Sequence, residues 1–307
     1  MSSLLNIEKL FDLSINCYSS ANDMIIIAGP TGVGKSKIAI ELAKQINGVL
    51  INADSVQVYR DLSLLSARPS KIDIQKVPHF LYGYIKYNIN YSVIEWLQEL
   101  EKTLTNMKLK NKIPILVGGS GLYINAVING LVRIPEISKK IKNESLYKLN
   151  EYGIEKFRQI NYEIDPGYVQ NIYDKHRLLR AYGIFLQTKK NISFWHKQPR
   201  IKSINKNIYS FFIKAERKSI YEKCEMRFDN MLAKGAIEEV KKLHSINIDR
   251  SLPISKCLGV KWLLIYLDNK ILYEDAVRLS KRDTRRYVKR QFTWFNHNYI
   301  SYKTINL

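Results

Sequence analysis

Lys35 and Ser36 end the run Ala28-Gly29-Pro30-Thr31-Gly32-Val33-Gly34-Lys35-Ser36, whose spacing of glycines before a lysine and a hydroxyl is that of a phosphate-binding loop. Glycines at these positions let successive backbone N–H groups turn toward one anion. Lys35 adds a point charge there, and Ser36 offers a hydroxyl to Mg²⁺. All eight residues from Gly29 to Ser36 are therefore expected around a bound diphosphate, with Thr31 contributing a second hydroxyl. The alternative is a chance match in a surface turn. Against it, residues 24–27 are apolar, and Ile38, Ala39, Leu42, Ala43 and Ile46 follow at helical spacing up to a stop at Asn47-Gly48. Such a helix would also point its positive dipole end at the anion.

A phosphate loop alone leaves the reaction open. Residues 49–53 read as a second buried strand that delivers Asp54-Ser55-Val56-Gln57-Val58-Tyr59-Arg60, and residues 114–117 as a third, ending in Gly118-Gly119-Ser120-Gly121-Leu122-Tyr123. Open α/β sheets place ligands at the C-terminal edge of their strands. Three such tips make one site.

The elements that must hold these tips alternate at first between strand and helix. Ser92 and Glu95 have capping-box spacing ahead of Val93, Trp96, Leu97, Leu100, Leu104 and Met107, and a further helix is expected over residues 122–128, stopped at Gly130. From about residue 133 to 195 the pattern is helical and polar, without a comparably apolar strand. A strand returns at 208–213, followed by helices at about 218–244 and 273–295. The expected fold is α/β: a P-loop NTPase-like parallel sheet flanked by helices, with a helical insertion domain. Its limits read as an N-terminal extension of unknown role (1–22), a first part of the core (23–130), the insertion (131–200) and a second part of the core with a basic helix (201–307).

The segments GPTGVGKS, DSVQVYR, GGSGLY and TRRYVKRQFTW, in this order, resemble those of the tRNA dimethylallyltransferases of bacterial type, which lack a C-terminal zinc finger. The likeness runs from about residue 25 to 295. It implies transfer of a dimethylallyl group from dimethylallyl diphosphate to N6 of adenosine 37, beside the tRNA anticodon. Asp54 is then the candidate general base for the amine proton, although a carboxylate here could instead orient Mg²⁺ through water. Gln57 suits an adenine edge because an amide donates and accepts, a turn hydrogen bond being its alternative. Lys35, Ser36 with its Mg²⁺, Thr31 and Arg217, the arginine that the resemblance assigns as a clamp, would neutralise the leaving diphosphate.

The same resemblance implies tRNA contacts at Asp54, Ser55, Val56, Gln57 and Ser120, at Lys139, and at His176, Arg177, Leu178, Leu179 and Arg180. Here Lys175-His176 replaces the family's usual Pro-Gln. Six basic residues in ten, Lys281, Arg282, Arg285, Arg286, Lys289 and Arg290, form either a second RNA contact or a solvated helix face. An adenylate isopentenyltransferase, a P-loop kinase and a non-catalytic RNA-binding protein are the other readings.

The charge distribution fits a nucleic-acid partner and fits a compositional bias equally well. Residues 1–130 carry 13 Lys and Arg against 10 Asp and Glu, whereas residues 131–307 carry 36 against 18, so nearly all of the net +21 lies in the second part. A polyanion would be drawn there, although a Lys-rich codon bias would leave the same excess. Cys17, Cys224 and Cys257 are too few and too far apart for a disulfide framework or a zinc site, which suits a reducing cytoplasm. No apolar run reaches membrane-spanning length and no secretory leader is evident, so a cytoplasmic monomer is expected.

Overall fold

The computed structural model describes Phe11 and residues 22–106, 111–299 and 301–307. Apart from Phe11 and Asn22, the expected N-terminal extension lies outside the described residues. Phe11 is fully buried and packs edge-on against Phe211, with ring centroids 4.6 Å apart, so this position belongs to the core.

By contacts the chain divides into two compact units. One comprises Met1–Ile128 with Ile204–Leu307, and the other Asn129–Ser203. The first is built on strands β1 (Asp23–Ala28), β2 (Gly48–Asn52), β3 (His79–Phe80) and β4 (Ile113–Gly118). With β7 (Asn207–Lys214) and β8 (Lys303–Asn306) they form a six-stranded sheet in the order β3-β2-β4-β1-β7-β8. Every neighbouring pair in it is parallel. Every residue of β1, β2 and β4 is buried, as expected where helices cover both faces of a parallel sheet.

The helices of this part are α1 (Lys35–Gln45), the short and unburied α2 (Lys71–Lys76), α3 (Val93–Thr105) and α4 (Gly121–Asn129). The capping box expected at Ser92 is present: its hydroxyl accepts from Glu95 N, and the Glu95 carboxylate accepts from Ser92 N. Met107, expected to extend α3, lies outside the described residues. α3 buries Trp96, which donates from Nε1 to the Asn52 carbonyl at 3.0 Å and so pins the tip of β2.

The second unit carries α5 (Lys139–Ile164), α6 (Pro166–Val169), α7 (Lys175–Thr188) and α8 (Ile192–His196). Phe157, Val169, Leu178 and Tyr182 pack into one core cluster and Ile137, Ala181, Ile184 and Ile192 into another. Periodicity did not reveal that β5 (Leu131–Val132) pairs antiparallel with β6 (Arg200–Ile201), because two-residue strands carry no alternation to read.

Back in the first unit run α9 (Arg217–Ala233), α10 (Ala236–Ser245), a 3₁₀ turn at Pro253–Lys256, α11 (Val260–Leu267) and α12 (Tyr273–Asn298). The single helix expected over 218–244 is two. Gly235 sits at φ 87°, a left-handed conformation that breaks the helix and starts α10. The edge strand β8 was also missed: of its four residues only Ile305 is buried, too little apolar pattern to mark a strand.

Candidate active site

The phosphate loop links β1 to α1 and is stabilised from below. Gly32 adopts φ 82°, and a Cβ there would lie 2.4 Å from Cys224 Sγ on α9, so both backbone conformation and space require glycine. Lys35 Nζ donates to the Pro30 carbonyl at 2.8 Å. Enclosure disfavours its charge and lowers its pKa to about 8, although Asp54 opposes this. The ammonium is thus held in the loop with its charge incompletely compensated, a setting that an anion would relieve.

At the tip of β2, buried Asn52 fixes the backbone of Asp54 from both sides. Its Oδ1 accepts from Asp54 N at 2.9 Å, and its Nδ2 donates to the carbonyls of Asp54 and Leu81, each at 3.0 Å. Asp54 Oδ1 in turn accepts from Val56 N at 2.9 Å. The third tip joins in through Ser120, whose hydroxyl accepts from Ser55 N at 2.9 Å. Gln57 Nε2 donates to the carbonyls of Ser66 and Ala67, both at 2.9 Å. Both amide hydrogens are therefore used, and toward a ligand Gln57 is left as an acceptor, narrower than the dual role expected from its residue type.

Thr31, Gly32, Gly34, Lys35, Ser36, Asp54, Gln57, Tyr82, Lys223 and Arg227 are among the residues lining one cavity of about 300 Å³. Gly29, Pro30 and Val33, also expected around the diphosphate, do not line this cavity and are buried. Gly29 lies against the Ile213 carbonyl, Pro30 accepts from Lys35, and Val33 joins the hydrophobic core. Ser55, Val56 and Ser120 do not line the cavity; Ser120 ties two strand tips together.

Arg217, expected as a clamp, lies elsewhere in this structure. It is exposed at the start of α9, with its guanidinium 5.3 Å from the Phe292 ring centroid, and does not line the cavity. The arginine that meets the loop is Arg227, whose Nη2 donates to Thr31 Oγ1 at 2.8 Å. The burial pattern of α9 accounts for this placement. Ile220, Cys224 and Phe228 form the buried stripe of α9, and Lys223 and Arg227 each precede one of its members, which turns two cations toward the loop.

These residues can hold a diphosphate, present a carboxylate to a proton donor and offer a neutral acceptor beside it. The IPP transferase family model matches residues 57–298. The chain belongs to this family. As an IPP transferase it is a transferase enzyme, and it is 38% identical to a tRNA dimethylallyltransferase of Ehrlichia ruminantium, over 91% of this chain and 93% of that one. A Pelagibacter ubique tRNA dimethylallyltransferase is 38% identical over 88% and 87%.

Among solved structures, the tRNA isopentenylpyrophosphate transferase of Bacillus halodurans matches with TM-score 0.67 and 30% identity, covering 93% of this chain and 90% of that one. A eukaryotic dimethylallyltransferase acting on tRNA matches with TM-score 0.74 and 26% identity, covering 89% and 70%. The P-loop-like α/β fold expected from the sequence is thus that of an IPP transferase.

In this IPP transferase, α7 presents His176, Arg177 and Arg180 to solvent, and Lys139 is exposed at the start of α5. Leu178 and Leu179, expected with them at the tRNA, instead pack into the core cluster of their unit, because they fall on the inner face of α7. Three carboxylates meet four of the six cations on the basic face of α12, so it is only partly neutralised within the fold. Lys281 pairs with Asp229, Arg285 with Glu225, and Arg282 and Arg286 both reach Asp283. Lys289 and Arg290 have no carboxylate partner among the described residues, and Arg290 lies over the Tyr287 ring. No helix among the described residues is long and apolar enough to cross a membrane.

Proposed function

We propose that the chain transfers a dimethylallyl group from dimethylallyl diphosphate to N6 of adenosine 37 in the tRNA anticodon stem-loop, releasing diphosphate. The observation that carries this reading is the shared cavity: Lys35 and Ser36 of the phosphate loop line it together with Asp54 and Gln57. The allylic C–O bond breaks as charge develops on the diphosphate, where Lys35 and Arg227 stabilise it. The N6 amine attacks the allylic carbon, a C–N bond forms, and the amine proton passes to Asp54. Gln57 Oε1 accepts from the adenine, and the phosphate loop keeps donor and acceptor aligned.

The residues present fit a divalent cation carried by the donor. Ser36 supplies a hydroxyl in the cavity, and no cluster of three metal-binding side chains exists among the described residues, so Ser36, diphosphate oxygens and water would make up the set. We take the ion to be Mg²⁺, which favours such oxygen ligands and, when bound, neutralises charge on the leaving group. The exposed cations of α7 and Lys139 serve the RNA backbone. The enzyme acts in the cytoplasm, a setting supported by the free thiols of Cys224 and Cys257.

Incubation with labelled dimethylallyl diphosphate and unmodified tRNA, and separately with AMP or ATP, tests the reading. Label is expected in tRNA alone. Label in AMP would make the chain an adenylate isopentenyltransferase, and consumption of ATP with phosphate transfer would make it a kinase.

A further inference from the structure

We infer that Glu239 of α10, which does not line the cavity, is a positioning residue that fixes the amide of Gln57 through the loop at 63–67. One carboxylate holds three consecutive backbone N–H groups. Its Oε1 accepts from Ser63 N, Ser63 Oγ and Leu64 N, each at 2.8 Å, and its Oε2 accepts from Leu65 N at 3.1 Å. Hydrogen bonds to an ionised acceptor are roughly twice as strong as neutral ones, and here four converge on one turn.

The turn that Glu239 holds leads directly to Gln57. Ala67 N donates to the Leu64 carbonyl at 2.9 Å, and Ala67 itself takes φ 55°, a left-handed conformation that an alanine adopts only when its surroundings hold it there. The carbonyls of Ser66 and Ala67 then accept both hydrogens of Gln57 Nε2. A flip of this amide would set its oxygen against two carbonyl oxygens. Oε1 is therefore committed as the acceptor, and its orientation depends on a loop whose anchor is a distant carboxylate. Leu62 and Leu65 stay buried beside the turn, so the loop remains attached to the core when the carboxylate is removed.

This inference rests on the proposed function, in which Gln57 accepts from the adenine. The test is a double-mutant cycle on the full-length enzyme, with unmodified tRNA and labelled dimethylallyl diphosphate as substrates. Gln57→Ala and Glu239→Ala are each expected to lower kcat/KM for tRNA by about tenfold or more, while the donor Kd stays within about twofold. The double variant should be no more than about twofold worse than Gln57→Ala alone, because both changes remove the same oriented acceptor. Glu239→Gln keeps an oxygen for Ser63 and Leu64, so it should retain most activity.

Losses that multiply in the double variant would overturn the inference, as would a Glu239→Ala enzyme with unchanged turnover or with weakened donor binding. If Glu239→Ala yields no folded protein, the cycle is run with Glu239→Asp, whose carboxylate is one methylene short of the three N–H groups; a loss of about fivefold that disappears on the Gln57→Ala background is expected, and losses that multiply again overturn the inference. Wild-type labelling of tRNA in the same assay reports on the proposed function separately from Glu239.

Discussion

Gln291 on α12 bridges the phosphate loop and the third strand tip: Thr31 N donates to its Oε1 at 2.8 Å, and its Nε2 donates to the Gly119 carbonyl at 2.9 Å. The Gln291 side chain and its bond to the Gly119 carbonyl are buried, so that carbonyl has no water to fall back on, while the bond to Thr31 N is partly buried. Gln291→Leu should cost about 1–3 kcal/mol for each group left unpaired and should loosen the loop that holds diphosphate. Thermal unfolding with and without pyrophosphate checks this. A variant that melts like the wild type and is equally stabilised by pyrophosphate would show that the bridge is dispensable.

Removing the carboxylate of Asp54 tests the proton acceptor. Asp54→Asn keeps an oxygen for Val56 N, so the loop survives, and single-turnover prenylation should fall by about 10²–10⁴ with tRNA affinity within a few-fold. Asp54→Ala should lose at least as much. Unchanged single-turnover rates would take Asp54 out of the chemistry.

Lys35 predicts how pH acts on donor binding. Its enclosed ammonium titrates near 8 in the free enzyme, below the 10.5 of an exposed lysine. A diphosphate beside it favours the charged form, so above about pH 8 binding must take up a proton and affinity should fall about tenfold per pH unit. Stability runs the other way. Between about 8 and 10.5 the unfolded chain binds more protons at this site, so the Lys35 contribution to stability rises with pH across that window. Pyrophosphate titrations at pH 7, 8 and 9 in buffers of different ionisation enthalpy measure the uptake. The part of the uptake due to Lys35, measured above that of pyrophosphate itself, should vanish in Lys35→Met.

Salt dependence separates the exposed cations of α7 from the paired ones of α12. Each lost phosphate contact should flatten the slope of log affinity against log salt by about 0.7–0.9. Replacing Arg177 and Arg180 by Ala should therefore reduce the slope for tRNA by about one to two, while donor binding is unchanged. Lys281→Ala should leave it alone, because Asp229 already occupies that ammonium. Equal slopes in all variants would remove the 175–180 segment from the RNA interface.

The phosphate loop, the strand tips and the parallel sheet were legible because each is encoded locally: glycines at fixed spacing, apolar runs of strand length, a capping box at Ser92. What was not legible depends on contacts across the chain. Arg227 reaches Thr31 from 196 residues away, and Gln291 reaches Gly119 from 172. Arg217, expected as the clamp but placed outside the cavity, shows the same limit. A cation at a helix start looks functional in sequence, but the turn of α9 decides which of its cations face the loop. For the same reason the six-cation run on α12 suggested RNA, whereas carboxylates on α9, and Asp283 on α12 itself, occupy four of those charges.

The order of the sheet also shapes how the protein is made. β1 lies between β4 and β7, and Asp23 pairs with Asn207, so the entire second unit is synthesised before the middle of the sheet can be completed. Until then β1 has an open edge of unpaired backbone groups, the kind of surface that recruits other nascent chains. The helices at 139–196 depend on local contacts and can fold early, whereas the pairing of β1 with β7 must await closure of a long loop. Refolding of the isolated enzyme should therefore be slow and sensitive to protein concentration, with aggregation competing at the step where β7 docks.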